Sequence, residues 1–469
     1  MVIDIKKRIE AIVNSRAGKI IEAALMSRFF PFVTAAFMLL FYYTGSDLLA
    51  VYYLGICGLA VFIFCKDVTP LFCIFLFMNM IVSGKDTPLS CYGWADKPAV
   101  TAQILTVIAL YLVGALIRMF TGVKSGNFKR TPVFCGLLVF AAALFLNGAF
   151  AEDFDIRNLF FGGSLAVIFL GVFVLGYSNI NTGRETFERI ALAFVALGAT
   201  VLVELFVVYL TTEGLIVDGT VVRHKLHMGW GTYLNAGMLL NLAIPASLYL
   251  AGRYRHGWAF TLYTLVLLVG VLFTLSRQSI ISSALVFVVG AVLLLIGGNN
   301  RWINVGIFAA AALALGIYLA VRWNEFYKFF MYIVANFLND SGRHELYENA
   351  LINFRDFPVF GKGFYVKLYI SFPLAAIDYF PPMFHNTFMQ LMSACGTVGL
   401  VAYIGHRVQT VKSFFNNPTK ERAFIALTVI GLLIMNFLDN YLFYMFPTMV
   451  YSFLIAALVK SEKKADSTV

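Results

Sequence analysis

Charge is scarce in this chain. Asp, Glu, Lys and Arg together supply 13% of its 469 residues, against 60% hydrophobic ones, and mean hydropathy is +0.82. A water-soluble protein of this size cannot hide that much apolar surface, so soluble globular classes are excluded and a polytopic membrane protein remains. Cysteine is sparse too. Of the six, Cys57, Cys65, Cys73, Cys135 and Cys395 lie inside apolar runs, and only Cys91 lies outside one. No C-x-x-C pair occurs, so neither a disulfide framework nor a cysteine zinc site is supported. Internal repeats, low-complexity tracts and a segment polar enough for a soluble domain are also lacking. The N-terminal stretch Met1 to Arg28 is basic and mostly too polar for the apolar core of a signal peptide, and reads as a retained cytoplasmic amphipathic lead-in.

What the chain has in quantity is apolar runs of spanning length. They fall at 29–45, 48–65, 68–83, 99–118, 132–150, 159–177, 189–210, 230–251, 258–275, 279–297, 302–321, 386–405, 423–438 and 442–459. This predicts an all-α polytopic membrane protein, a single membrane domain over 1–469 with about fourteen transmembrane helices and both termini cytoplasmic. The formal net charge of +10 raises the question of a nucleic-acid partner. Sorted by side, the predicted inner segments hold 23 Lys and Arg against 9 Asp and Glu, and the outer ones 12 against 15. That is the positive-inside bias: the basic balance sets topology and implies no nucleic acid.

One long polar loop, 322–385, breaks the pattern on the predicted outer side. A chain that spends most of its length in lipid and then builds an ionisable surface at one interface does chemistry there or moves something through the bilayer. Within the loop, Asp340-Ser341-Gly342 reads as a helix start. Leu346, Ala350, Phe354 and Ile352 or Tyr347 then share one side at helical spacing, which predicts a helix lying on the outer membrane surface. Pro358 ends it, Gly361-Lys-Gly363-Phe makes a tight turn, and Pro381-Pro382 directs the chain back to the bilayer.

Three residues stand out chemically. Arg277 opens a helix in a short connection, with Ser276 as N-cap, so free amides and guanidinium point at one place and make an anion site. It reads equally as an interfacial arginine anchoring its helix. Arg343, in the first turn of the surface helix, opposes the helix dipole at about 0.3–1 kcal/mol. A bound anion would offset that, as would a salt bridge to Asp340 or Glu345. His385 sits at the mouth of the next span, where the helix N-terminus disfavours imidazolium. A neutral ring there suits a general base acting on a hydroxyl, or a hydrogen-bonded structural role. A second tier comprises Arg223, His224, Glu204, Asn235, Asn386 and Arg355. Arg223 and His224 belong to a basic cluster that fits lipid headgroups equally well, and Glu204 lies within a span, where it needs a partner. Asp439-Asn440 occupies a tight outer turn. Glu152-Asp153-Phe154-Asp155 resembles a metal-holding acidic pair but reads as a solvated turn, and no metal or cofactor is expected.

Taken in order, several stretches resemble the O-antigen ligase and O-antigen polymerase superfamily of bacterial polytopic membrane glycosyltransferases. They are Tyr233-Leu-Asn235-Ala with a proline ten residues later, Leu275-Ser276-Arg277, and Gly342-Arg343 leading to Phe357-Pro358-Val-Phe-Gly361-Lys-Gly363. His385-Asn386-Thr-Phe-Met389 and Gly396-Thr-Val-Gly399-Leu follow in one helix. The resemblance covers 228–405. It implies a GT-C-like enzyme of the cytoplasmic membrane, active on the outer side. Such an enzyme takes a glycan from an undecaprenyl-pyrophosphate carrier, with no metal and with inversion. It further implies that Arg277 and Arg343 hold the donor pyrophosphate and that His385 activates or orients the acceptor hydroxyl. Partners would be a glycan or lipid acceptor, membrane lipids and a chain-length regulator protein. Two family activities stay open, polymerisation of lipid-linked repeat units and ligation to lipid A-core. Against a lipid-linked glycan transporter, the ionisable residues cluster at one interface rather than at the midplane of repeated halves.

Overall fold

The computed structural model describes residues 14–83, 98–122, 128–129, 131–152, 154–217, 220–222, 225–229, 231–338, 343–366 and 382–466. Among them are seventeen α-helices. The first nine are α1 (Arg16–Leu25), α2 (Phe30–Tyr43), α3 (Asp47–Phe64), α4 (Thr69–Ser83), α5 (Pro98–Gly122), α6 (Pro132–Phe145), α7 (Ile156–Asn179), α8 (Arg184–Thr211) and α9 (Tyr233–Arg253). Then come α10 (Trp258–Phe273), α11 (Arg277–Gly297), α12 (Arg301–Val321), α13 (Trp323–Leu338), α14 (Arg343–Asp356), α15 (Thr387–Phe415), α16 (Lys420–Asn436) and α17 (Met445–Asp466). Each of the fourteen apolar runs lies on a helix. Among the described residues seven helices are long and apolar enough to cross a membrane, or eight if α1 and α2, bent by 77° at their junction, make one span. The protein is thus an all-helical polytopic membrane protein. Two small antiparallel hairpins interrupt it: β1 (Ile216–Val217) with β2 (Thr220–Val221), and β3 (His227–Met228) with β4 (Gly231–Thr232).

The helices gather in two compact units, one of Met1–Ser125 with Val174–Leu294, the other of Gly126–Phe173 with Leu295–Val469. In the first, α9 is buried continuously from Ala236 to Gly252, as expected of a helix apolar on every side. It packs between α8 and α10, and α2 and α4 cover α8. Glu188, in the second turn of α8, is buried and binds Arg28 at 2.9 Å, Arg253 at 3.0 Å and the Tyr254 hydroxyl. A carboxylate taken out of water needs such partners, and these three tie the α1–α2 bend and the end of α9 to α8. From α11, Ser279, Ser282, Ser283, Gly290 and Ala291 form a buried stripe of small residues, the kind that lets membrane helices approach closely.

In the second unit α15 runs along α6, and α14 packs on α15. The predicted continuous helix after His385 is in fact broken. Gly396 has φ +60° and ψ −155°, far from helical values. At that break the segment after α14 crosses the helix and exchanges backbone hydrogen bonds with it. Thr397 and Val398 N–H donate to Pro358 O (2.8 Å) and Val359 O (3.1 Å). In return, Lys362 and Gly363 N–H donate to Ser393 O (2.8 Å) and Ala394 O (3.1 Å). The amides and carbonyls freed by the kink are thereby paired within the protein, as lipid surroundings require.

The long loop also differs from expectation. Its first part, read as loop, is helix α13, followed after residues outside the described set (339–342) by α14. The stripe that α14 buries is Leu346, Asn349, Ala350 and Asn353 rather than the all-apolar face predicted, while Leu351 and Ile352 are exposed. Leu346 and Ala350 pack with Phe384, Tyr347 and Met389, and Asn353 Nδ2 donates to Ser393 Oγ at 3.0 Å. This face rests on α15, and a protein partner explains the two asparagines that a lipid surface would reject. The predicted N-cap Asp340-Ser341-Gly342 and the Pro381 turn lie outside the described residues.

At the crossing, Gly361 (φ +69°) and Gly396 admit no side chain. A Cβ on the first would sit 2.4 Å from the Ala394 carbonyl carbon, and one on the second 2.6 Å from that of Val359. Gly361→Ala or Gly396→Ala is expected to lose at least about 1–3 kcal/mol from backbone strain alone. The check is a lowered unfolding temperature in detergent. Gly306→Ala, at an open helical position, should leave that temperature unchanged or raise it.

Candidate functional site

The site builds around His385, at the entry to α15. Its backbone is left-handed (φ +50°), a conformation that non-glycine residues adopt rarely and that clusters at functional positions. Asn386 follows as the N-cap: its Oδ1 accepts from the amides of Phe388 (2.9 Å) and Met389 (3.2 Å), and its Nδ2 donates to Phe437 O at 3.0 Å. The cap thus stabilises the helix end and fixes it to the turn between α16 and α17. Gln390, wholly buried, strengthens the same join, its Oε1 accepting from the Phe384 amide (3.0 Å) and from Asn440 Nδ2 (2.9 Å).

The turn delivers a carboxylate to the imidazole. Asp439 Oδ1 lies 3.1 Å from His385 Nδ1 and also accepts the Asn440 amide at 2.8 Å. The Asp439 side chain is 5% exposed and that of His385 37%. A carboxylate at Nδ1 fixes the ring and favours the Nδ1–H tautomer, which leaves Nε2 as the acceptor. The sequence reading placed Asp439 in a tight turn but did not join it to His385, 54 positions away. The available signal was a carboxylate wedged between two apolar runs, where a charge demands a partner.

Arg343 is the first residue of α14 and is half-buried. Arg355, at the other end of that helix, is exposed and paired with Asp356 at 3.3 Å, a surface pair of small energetic weight. Arg277 belongs to the first unit. As predicted it opens a helix, α11, and is half-buried. Ser276 is buried just before it, with its Oγ 2.7 Å from Ser279 Oγ. Leu275 has φ +54°, so the two helix starts that carry Arg277 and His385 share a left-handed entry.

Among the second tier, Asn235 lies half-buried in the first turn of α9. Glu204 is 1% exposed, and its required partner is the backbone of the β3–β4 hairpin: Oε2 accepts the Gly229 amide at 3.0 Å. Arg223 and His224 lie outside the described residues. Of the acidic quartet, Asp153 lies outside them too. Asp155 accepts the Arg157 amide (2.8 Å) and its guanidinium (2.6 and 2.9 Å). These contacts, the side-chain hydrogen bond foremost, hold its carboxyl below the ordinary range. Asp155 directly precedes α7.

His385 and Asp439 thus form a histidine–carboxylate pair at the mouth of α15. Residues 237–404, somewhat over a third of the chain, match the family described as O-Antigen ligase. Through that region the protein is similar to the O-antigen ligase and polymerase superfamily. The match contains Arg277, Arg343 and His385 and starts nine residues after the stretch read from the sequence. Asp439 lies beyond its end. No curated protein matches the chain.

If the pair is coupled, Asp439→Ala should lower stability by about 1–3 kcal/mol, because it leaves a half-buried ring nitrogen without its acceptor. Thermal unfolding of Asp439→Ala, His385→Ala and the double variant checks it. The double variant should lose measurably less than the sum of the two.

Proposed function

We propose that this protein is a glycosyltransferase that polymerises undecaprenyl-pyrophosphate-linked oligosaccharide repeat units at the outer face of the cytoplasmic membrane. The products would be O-antigen, capsule or a related surface polysaccharide. The observation that carries the reading is the family match over 237–404 together with the Asp439-held His385 inside and beside it. In this reading the chain crosses the membrane about fourteen times in a GT-C-like arrangement, both termini are cytoplasmic, and 322–385 faces outward.

The chemistry follows from charge and proton flow. His385 Nε2 takes the proton of an acceptor hydroxyl as its oxygen attacks the anomeric carbon. The bond from that carbon to the lipid pyrophosphate breaks on the opposite side, so configuration inverts. Negative charge grows on the leaving pyrophosphate, and Arg277 and Arg343 are assigned to it. Fixed guanidinium groups stabilise that developing charge more in the transition state than in the ground state. Asp439 positions the imidazole and steadies it once it holds the proton. No step calls for a metal.

The family's description as an O-Antigen ligase favours a second reading, transfer of the glycan to lipid A-core. Purified protein given lipid-linked repeat units alone separates the two. Longer polymers mean polymerase; no reaction until lipid A-core is added means ligase. Glycan movement across vesicles without new glycosidic bonds would replace both with transport. Arg277→Ala, Arg343→Ala and His385→Ala are each expected to abolish transfer while the protein still inserts, measured with purified lipid-linked donor. Near-normal transfer by these variants would overturn the assignment.

A further inference from the structure

We propose that α13 lies in the plane of the membrane boundary, with its aromatic face sunk into the headgroup–acyl zone of one lipid leaflet. The first support is position. Helix α12 has 21 residues, about 31 Å at 1.5 Å each, close to the thickness of the hydrocarbon core. Its surface is almost wholly exposed, and Asn304 is the residue it buries, so lipid is what surrounds it. Its last residue, Val321, therefore reaches the boundary. Only Arg322 separates the two helices: its amide closes α12 on Tyr318 O (2.8 Å), and its carbonyl accepts from Glu325 (3.1 Å) and Phe326 (3.0 Å) in α13. No linker carries α13 away from the lipid surface.

The second support is the helix's own division into faces. Its 16 residues reach about 24 Å, too short to cross. Trp323, Phe326, Tyr327 and Phe330 recur at helical spacing, and Trp323 packs on Phe326 and Tyr327, and Phe326 on Phe330, with ring centroids 5.9, 6.5 and 6.2 Å apart. Trp323 is nonetheless 56% exposed and Tyr327 51%, and Phe330 and Met331 are exposed beside them. Asn324, Glu325 and Lys328 occupy the other side, also exposed, with Glu325 paired to Arg322 at 2.6 Å. A continuous aromatic face backed by charged residues, on a helix too short to span, fits an in-plane interfacial helix. Trp and Tyr favour that depth because each ring has an apolar body and a polar edge.

The consequence reaches the candidate site. Arg343 begins α14 five residues after Leu338, so α13 tethers it near the depth of lipid phosphates. That consequence rests on the proposed function; the placement of α13 does not.

The experiment reads depth and contains no activity measurement. Trp94, Trp230, Trp258 and Trp302 are replaced by Phe, and the chain, with Trp323 alone, is placed in lipid nanodiscs carrying bromines near the headgroups or near the bilayer centre. The expected result is blue-shifted Trp323 emission, quenched more by shallow bromines than by deep ones and little by aqueous iodide. Dominant iodide quenching would overturn the proposal and leave the face to a protein partner; dominant deep quenching would overturn it in favour of insertion. Should the four-fold variant fail to fold, the natural chain minus Trp323→Phe gives the same Trp323 signal by difference.

Discussion

Backbone amides and carbonyls inside a membrane have no water to pair with, so a helix there can break only where another stretch of protein offers partners. The crossing at Gly396 meets that condition. The segment Pro358–Gly363 supplies carbonyls and amides to the kinked α15 and receives the same in return. Glycines stand where the two backbones come closest, since a Cβ would enter the opposite chain. The crossing fixes the end of α14 against α15, and α14 and α15 bear Arg343 and the entry through His385.

The His385 entry shows the same economy by other means. A left-handed residue, an asparagine cap and a buried glutamine all bind to the turn at 436–440. That network spends several polar side chains to place one carboxylate at one ring nitrogen. Polar groups buried this way are tolerated only when their partners are present. The arrangement is suited to a base that must meet a hydroxyl in one orientation, which is what the proposed transfer needs.

Much of this was legible from residue types. Apolar runs give the helices because only hydrogen-bonded helices satisfy a backbone in lipid, and each run proved helical. Arg277 and Arg343 open helices, as their surroundings indicated. The misses share a cause. Helix α13 hid in a loop assignment because its aromatic face has helical spacing without spanning length. The buried face of α14 was misjudged because periodicity shows that a face is covered, not whether lipid or protein covers it. Gly396 looked like any small residue in a span, since nothing local announces that another segment crosses there.

The sequence by itself determined the class of molecule, the helices on its apolar runs and the family that 237–404 match, because hydropathy and short motifs are local and survive without a fold. Only the tertiary structure decided which carboxylate meets His385, which backbone fills the break in α15 and which partner Glu204 finds in Gly229. Those are contacts between residues far apart in the chain, and no local pattern encodes who a residue's distant neighbour will be.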